Sequence, residues 1–166
     1  MASITAPIDF KVGQYKININ KHNESDIQAC IDSVEELALL QLFGVEFKDI
    51  VLQGVEDLDP IYEKLYNPFT FQDSCDRIWQ SKGVKEMLLG FVYFEWYATH
   101  SVAVVLDGQR ENESENSKSA SSLKANNEKR YNDAVKTYRA IQTYIIENFE
   151  IYPEFKGQSK LLMNWF

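Results

Sequence analysis

Apolar residues recur at helical spacing in several stretches of the chain and alternate with polar ones in another. Ile27, Ile31, Val34, Leu37 or Ala38, and Leu42 repeat every three or four positions, the period of one helix face. Ser25 with Gln28 three residues on forms a capping-box pattern ahead of this run, and Gly44 is a good stop behind it. A second, short helix is expected over about 45–53, halting at Gly54. A third is expected over about 58–66, with Pro60 in its first turn and Asn67-Pro68 ending it. Residues 67–83 read as a connector with a short helical stretch near 73–80. The last long helix spans about 123–149: Tyr131, Ala134 or Val135, Tyr138, Ile141, Ile145 and Phe149 form one stripe, with Lys124, Glu128, Lys136 and Arg139 largely off it.

Between the amphipathic helices lies VKEMLLGFVYFEWYATHSVAVVL, residues 84–106, apolar on all sides. Such a helix is central in a bundle or in a membrane. Glu95 near its middle costs roughly 2.5–3.5 kcal/mol on insertion, and its flanks lack a basic asymmetry, so a buried central helix is expected. Residues 107–122, DGQRENESENSKSASS, hold no large apolar side chain and read as a long polar loop, functional or disordered in the free subunit. The expected class is mainly α: a helical bundle around a central apolar helix, with an N-terminal arm (1–22), a helical domain (23–149) and an extended C-terminal tail (150–166).

The two ends suggest contacts. Residues 8–19, IDFKVGQYKINI, alternate around Gly13 as an extended arm, short strand or hairpin that must pair with something, such as a neighbouring subunit. Phe10, Tyr15 and Ile17 are its candidate interface residues. After Pro153 the tail ends in Leu161-Leu162-Met163-Asn164-Trp165-Phe166. An apolar chain end needs a docking place, which makes Tyr152, Phe155, Leu161, Leu162, Met163, Trp165 and Phe166 candidates. Arg110 and Lys118 are the candidates in the polar loop.

Composition narrows the function. The 166 residues include 10 Phe, 9 Tyr and 3 Trp, which suits a packed core and protein contacts equally. The net charge is −8, the wrong sign for a nucleic-acid-binding surface. Residues 1–60 hold eleven acids and four bases and so carry −7 of it. They form a solvated face, or a surface that repels DNA or meets a basic partner. Cys30 and Cys75, in no metal-like spacing, read as small buried hydrophobes in a reducing compartment. The N-terminus lacks the pattern of a signal peptide.

Chemistry is hard to find. There is no phosphate loop, dinucleotide fingerprint or nucleophile elbow, and His22 and His100 sit in no zinc spacing. Glu95 and His100, five apart, read as polar groups satisfied by neighbouring helices or the next subunit rather than as a site. The sequons at Asn23 and Asn112, and Asn67-Pro68-Phe69, are short matches that arise by chance. The expectation is a non-enzyme without cofactor or metal.

The order of elements carries a resemblance. An acidic amphipathic helix runs into Leu42-Phe43-Gly44, and Val45-Glu46-Phe47 opens a short helix. Lys82-Gly83-Val84-Lys85-Glu86-Met87-Leu88 begins an aromatic-rich helix through Tyr93-Phe94-Glu95-Trp96-Tyr97. A valine run, Gly108, a polar loop with Asn116-Ser117-Lys118-Ser119-Ala120-Ser121, and a Tyr-rich helix from Tyr131 to Tyr144 follow. Over about residues 24–149 this resembles the small helical head–tail connector (adaptor or ring) proteins of tailed phages, closest to those of phages of gut Bacteroidales, including crAss-like phages. The resemblance implies a homo-oligomeric ring, usually a twelve-fold dodecamer, below the portal protein in the neck of the virion. It implies contacts with an adjacent tail or neck ring, and DNA passing through the channel without sequence-specific binding. It carries over no catalytic residue. The competing expectations are a helical interaction module outside the virion, such as an assembly chaperone or an inhibitor of a host protein, and a small membrane protein of lysis.

Overall fold

A computed structural model describes residues 3–17, 24–53, 60–100, 102–105, 108–111, 120–153 and 155. The fold is mainly α. Among the described residues four helices dominate: α1 (Glu24–Gln53), α2 (Pro60–Tyr66), α3 (Val84–His100) and α4 (Ala120–Glu147). Two antiparallel strand pairs join them, β1 (Phe69–Gln72) with β2 (Ile78–Ser81), and β3 (Val102–Val105) with β4 (Gly108–Glu111).

Helix α1 breaks at Gly44, whose φ of +73° and ψ of 178° are not helical. The expected stop and the expected second helix are both present, since glycine alone turns there at little steric cost. Ile27, Ile31, Ala38, Leu39 and Leu42 are buried, so the core face is the expected stripe, with Ala38 rather than Leu37 pointing inward.

The faces of α3 explain the layering. Leu89, Val92, Tyr93 and Trp96 form one buried cluster with Ile27 and Ile31 of α1. Roughly half a turn around the helix, Phe91 and Phe94 meet Tyr131 of α4, with ring centroids 5.6 and 4.5 Å apart. Gly90 lies so close to α4 that a Cβ there would sit 2.8 Å from the Ala134 methyl. Helix α3 is thus layered between α1 and α4. Leu39, Leu42 and Phe43 of α1, Leu65 of α2, and Tyr138, Ile141 and Ile145 of α4 close the larger core below it.

Four sequence expectations need correction. Residues 8–17 form no strand but two 3-10 turns, Pro7–Phe10 and Gly13–Tyr15. Asp9 accepts a hydrogen bond from the Ala6 N–H (3.0 Å), and Gly13 bends the chain at a φ of +80°. The turns bury both Phe10 and Tyr15, which an odd spacing in a strand would send to opposite faces. The short helix expected near 73–80 is a hairpin, because the Asp73 side chain takes the backbone N–H groups of Cys75 and Arg77 (both 2.9 Å) and so competes with helix formation. The apolar run 84–106 is helical only to His100; its β-branched valines continue as β3. Residues 108–111 of the expected polar loop pair with β3, and α4 begins at Ala120.

Among the described residues no helix is long and apolar enough to cross a membrane.

Candidate interaction surface

The hairpin β1–β2 lies against α4, anchored by aromatic contacts. Tyr144 meets the rings of Phe69 and Phe71 edge-on, at 4.9 and 5.1 Å between centroids. Phe71 stacks on Trp79 across the strand pair (6.5 Å, 13°), the cross-strand pairing that stabilises short hairpins. Trp79 in turn donates its indole N–H to Asp73 (2.9 Å), and the Arg77 guanidinium donates to the same oxygen (2.8 Å). Asp76, in the turn, has a φ of +60°, a conformation aspartate tolerates better than most residues. Those hydrogen bonds, Trp79's first, hold the Asp73 carboxyl at about 2, against the opposing cost of its burial.

The sign of that shift fixes a pH dependence. The folded value lies below the usual carboxylate value of about 3.9, so the ionised form is favoured in the fold. Its contribution is complete above about pH 4–5 and is lost as pH falls through about 2. Acidification over that window is expected to loosen the hairpin, and Asp73→Ala to loosen it at neutral pH. The indole N–H resonance of Trp79 reports both; an unmoved resonance in Asp73→Ala would mean that the strands, not the carboxylate, set the turn.

Between β2 and α4 opens a groove of about 550 Å³, lined by Ile78, Trp79, Gln80, Lys82, Asp133, Lys136, Thr137 and Arg139. Ile78 on its wall is 78% exposed. Asp133 pairs with Lys82 (3.4 Å) and Lys136 (3.5 Å), and with Arg139 the lining holds three bases to one acid, on an acidic chain. Lys136 and Arg139 lie largely off the apolar stripe of α4 in the sequence pattern, but that pattern does not show the groove, because the segment that walls it reads as a connector with a short helical stretch near 73–80.

Other large apolar side chains are exposed elsewhere. Ile146, Phe149 and Ile151 cluster in sequence at the end of α4, with Phe149 62% exposed, and Leu37 and Leu40 lie on α1.

Five of the twelve candidate interface residues are internal. Phe10, Tyr15 and Ile17 are buried with Ile27, Ile31 and Trp96. Tyr152 and Phe155 are buried in the larger core, and the Tyr152 hydroxyl donates to the Ile61 carbonyl (2.9 Å). These five side chains are buried inside the subunit and hold it together. Burial pushes the Tyr15, Tyr138 and Tyr152 phenols above their ordinary range. Arg110 lies in β4, opposite Ala103. Lys118, Leu161, Leu162, Met163, Trp165 and Phe166 lie outside the described residues.

The remaining polar candidates resolve locally. His100 stacks on Trp96 (3.8 Å, 12°), and its Nδ1 lies 3.0 Å from the Trp96 carbonyl. Glu95, five residues back, is exposed. Cys30 is half-buried, its thiol pushed up to about 11 by burial and then by Glu95; Cys75 is exposed rather than buried. Among the described residues no group of His, Cys, Asp and Glu is arranged to hold a metal ion, and no buried side-chain nitrogen or oxygen lacks a hydrogen-bond partner.

No family model, curated protein or solved structure matches this chain.

Proposed function

We propose that this chain is a non-enzymatic structural subunit of a tailed-phage virion, assembled as a ring below the portal that joins head to tail and surrounds the DNA channel. The carrying observation is the exposure of large apolar side chains on separate elements of one small subunit: Leu37 and Leu40 on α1, Ile78 on the hairpin, and Ile146, Phe149 and Ile151 at and after the end of α4. Clustered apolar exposure of this kind marks contact surfaces, and a cyclic ring needs two different faces per subunit. The order of elements that resembles the connector proteins supports the same reading. An acidic surface facing the lumen lets DNA slide by repelling its phosphates.

Mass spectrometry of purified virions tests the proposal. The chain is expected there in a copy number close to that of the portal protein, and particles lacking it are expected to leak DNA or fail to take tails. Its absence from virions, or normal infectious particles without it, would overturn the proposal in favour of a chaperone or an inhibitor of a host protein.

A further inference from the structure

We infer that the groove between β2 and α4 receives the outward face of α1 from a second copy of this chain, and that this contact propagates the ring. The inference rests on the ring reading above and names the two faces that reading requires.

The first face is basic. Lys82, Lys136 and Arg139 rim the groove against the single acid Asp133, and exposed Lys129 continues the cationic row two turns up α4. Ile78, almost fully exposed beside Trp79, supplies an apolar wall.

The second face is acidic. No Lys or Arg occurs from residue 22 to 47. On α1 the residues Asp26, Ala29, Asp32, Ser33, Glu36, Leu37 and Leu40 are all exposed, and their spacing puts them on the side away from the buried stripe of Ile27, Ile31 and Ala38. The centre of this face is small or apolar, Ala29, Ser33 and Leu40; carboxylates surround it. A narrow helix face edged with acids complements a groove with an apolar wall and a basic rim.

The placement of the two faces favours a second copy over another acidic partner. Around Leu89–Trp96, α3 packs on Ile27 and Ile31 of α1 with one face and on Tyr131 of α4 with the opposite one, so the outer side of α1 and the far side of α4 there face away from each other. The groove residues Asp133, Lys136 and Thr137 lie on the side of α4 away from Phe91 and Phe94 of α3. One chain thus carries a basic receptor on one side and an acidic ridge on the other, the arrangement of a head-to-tail contact that repeats until it closes.

Charge reversal in the full-length chain tests this. K136E/R139E makes the groove acidic, and D32K/E36K makes the ridge basic. Each variant alone is expected to self-associate roughly a hundredfold more weakly than the wild type, read by sedimentation velocity at low salt and by electron microscopy. Mixed in equal amounts they are expected to assemble again, because each acidic groove then meets a basic ridge and each basic groove an acidic one. Circular dichroism checks that both variants fold. Wild-type rings formed by either variant alone would overturn the inference and leave the ring reading standing. So would a mixture of folded variants that stays monomeric. A groove whose reversal abolishes binding of a DNA duplex while rings persist would assign it to nucleic acid instead. A wild type that stays monomeric at high concentration also overturns the inference, and virion mass spectrometry then decides separately whether the ring reading survives.

Discussion

Gly83→Ala is expected to destabilise the fold by about 3 kcal/mol or more, lowering Tm by roughly 10 °C. Gly83 joins β2 to α3 at a φ of +88°, and a Cβ built there would stand 2.1 Å from the Tyr66 carbonyl oxygen and 2.8 Å from its carbon. Both atoms belong to the backbone at the end of α2, so no rotamer change relieves the clash. The position is fixed from two other sides. Its N–H donates to the hydroxyl of buried Ser81 (3.0 Å), and its carbonyl accepts from the Met87 N–H (3.1 Å), in the first turn of α3. Gly13→Ala separates strain from clash: its φ is +80°, yet nothing lies within 4 Å of its Cβ position. That variant should cost only about 1–2 kcal/mol, the penalty of a left-handed conformation alone. Thermal melts of the two variants check the ranking. Equal losses would mean that α2 moves away from Gly83 freely, and that its packing is softer than the geometry indicates.

The helices were legible because their cores repeat at 3.6 residues over several turns, and Gly44 and Pro60 carry the backbone constraints that delimit them. The hairpin was not, since strands of four residues give too short an alternation to outweigh the helix-compatible run around Arg77 and Trp79. What decides it is the side chain of Asp73 capturing two backbone N–H groups, a local event that periodicity does not register. The valines at 102–105 continued an apolar run without a break, so composition there did not separate helix from strand. The burial of Phe10, Tyr15, Ile17, Tyr152 and Phe155 was not legible for a related reason. A Phe or Tyr in a flanking segment serves a core or an interface with the same chemistry, and only the paths of residues 3–17 and 148–153 and the burial of Phe155 show that Phe10, Tyr15, Tyr152 and Phe155 close the subunit's own core. The groove was invisible because its basic rim comes from two elements far apart in sequence.

The way residues 3–17 fold back leads to the second large effect. Glu35→Ala is expected to cost about 2–3 kcal/mol and to release the front of that segment. Glu35 is only 4% exposed, and its two oxygens accept from the Ser3 hydroxyl (2.8 Å), the Ile4 N–H (3.0 Å), the Thr5 N–H (2.7 Å) and the Thr5 hydroxyl (2.6 Å). Alanine leaves two backbone donors with no acceptor in a buried place, and such groups cost more than the bonds they once made contributed. Glutamine should fall in between. One of its ends still accepts, and the hydroxyls of Ser3 and Thr5 can turn to accept from the amide, but the N–H it faces cannot. The rear of the segment is held independently: Lys85 pairs with Asp9 (2.9 Å), and Gln14 and Tyr15 both donate to Glu86. Hydrogen exchange should therefore be graded. Protection is lost first at the amides of Ile4 and Thr5, while the Ile17 amide, bonded to the Phe10 carbonyl (2.9 Å), keeps most of its own. Uniform loss from Ile4 to Ile17 would show instead that Glu35 is the single clasp for the whole segment. In that case its removal would uncover Ile27, Ile31 and Trp96 together, and the variant would be expected to aggregate or to exchange its first residues between copies.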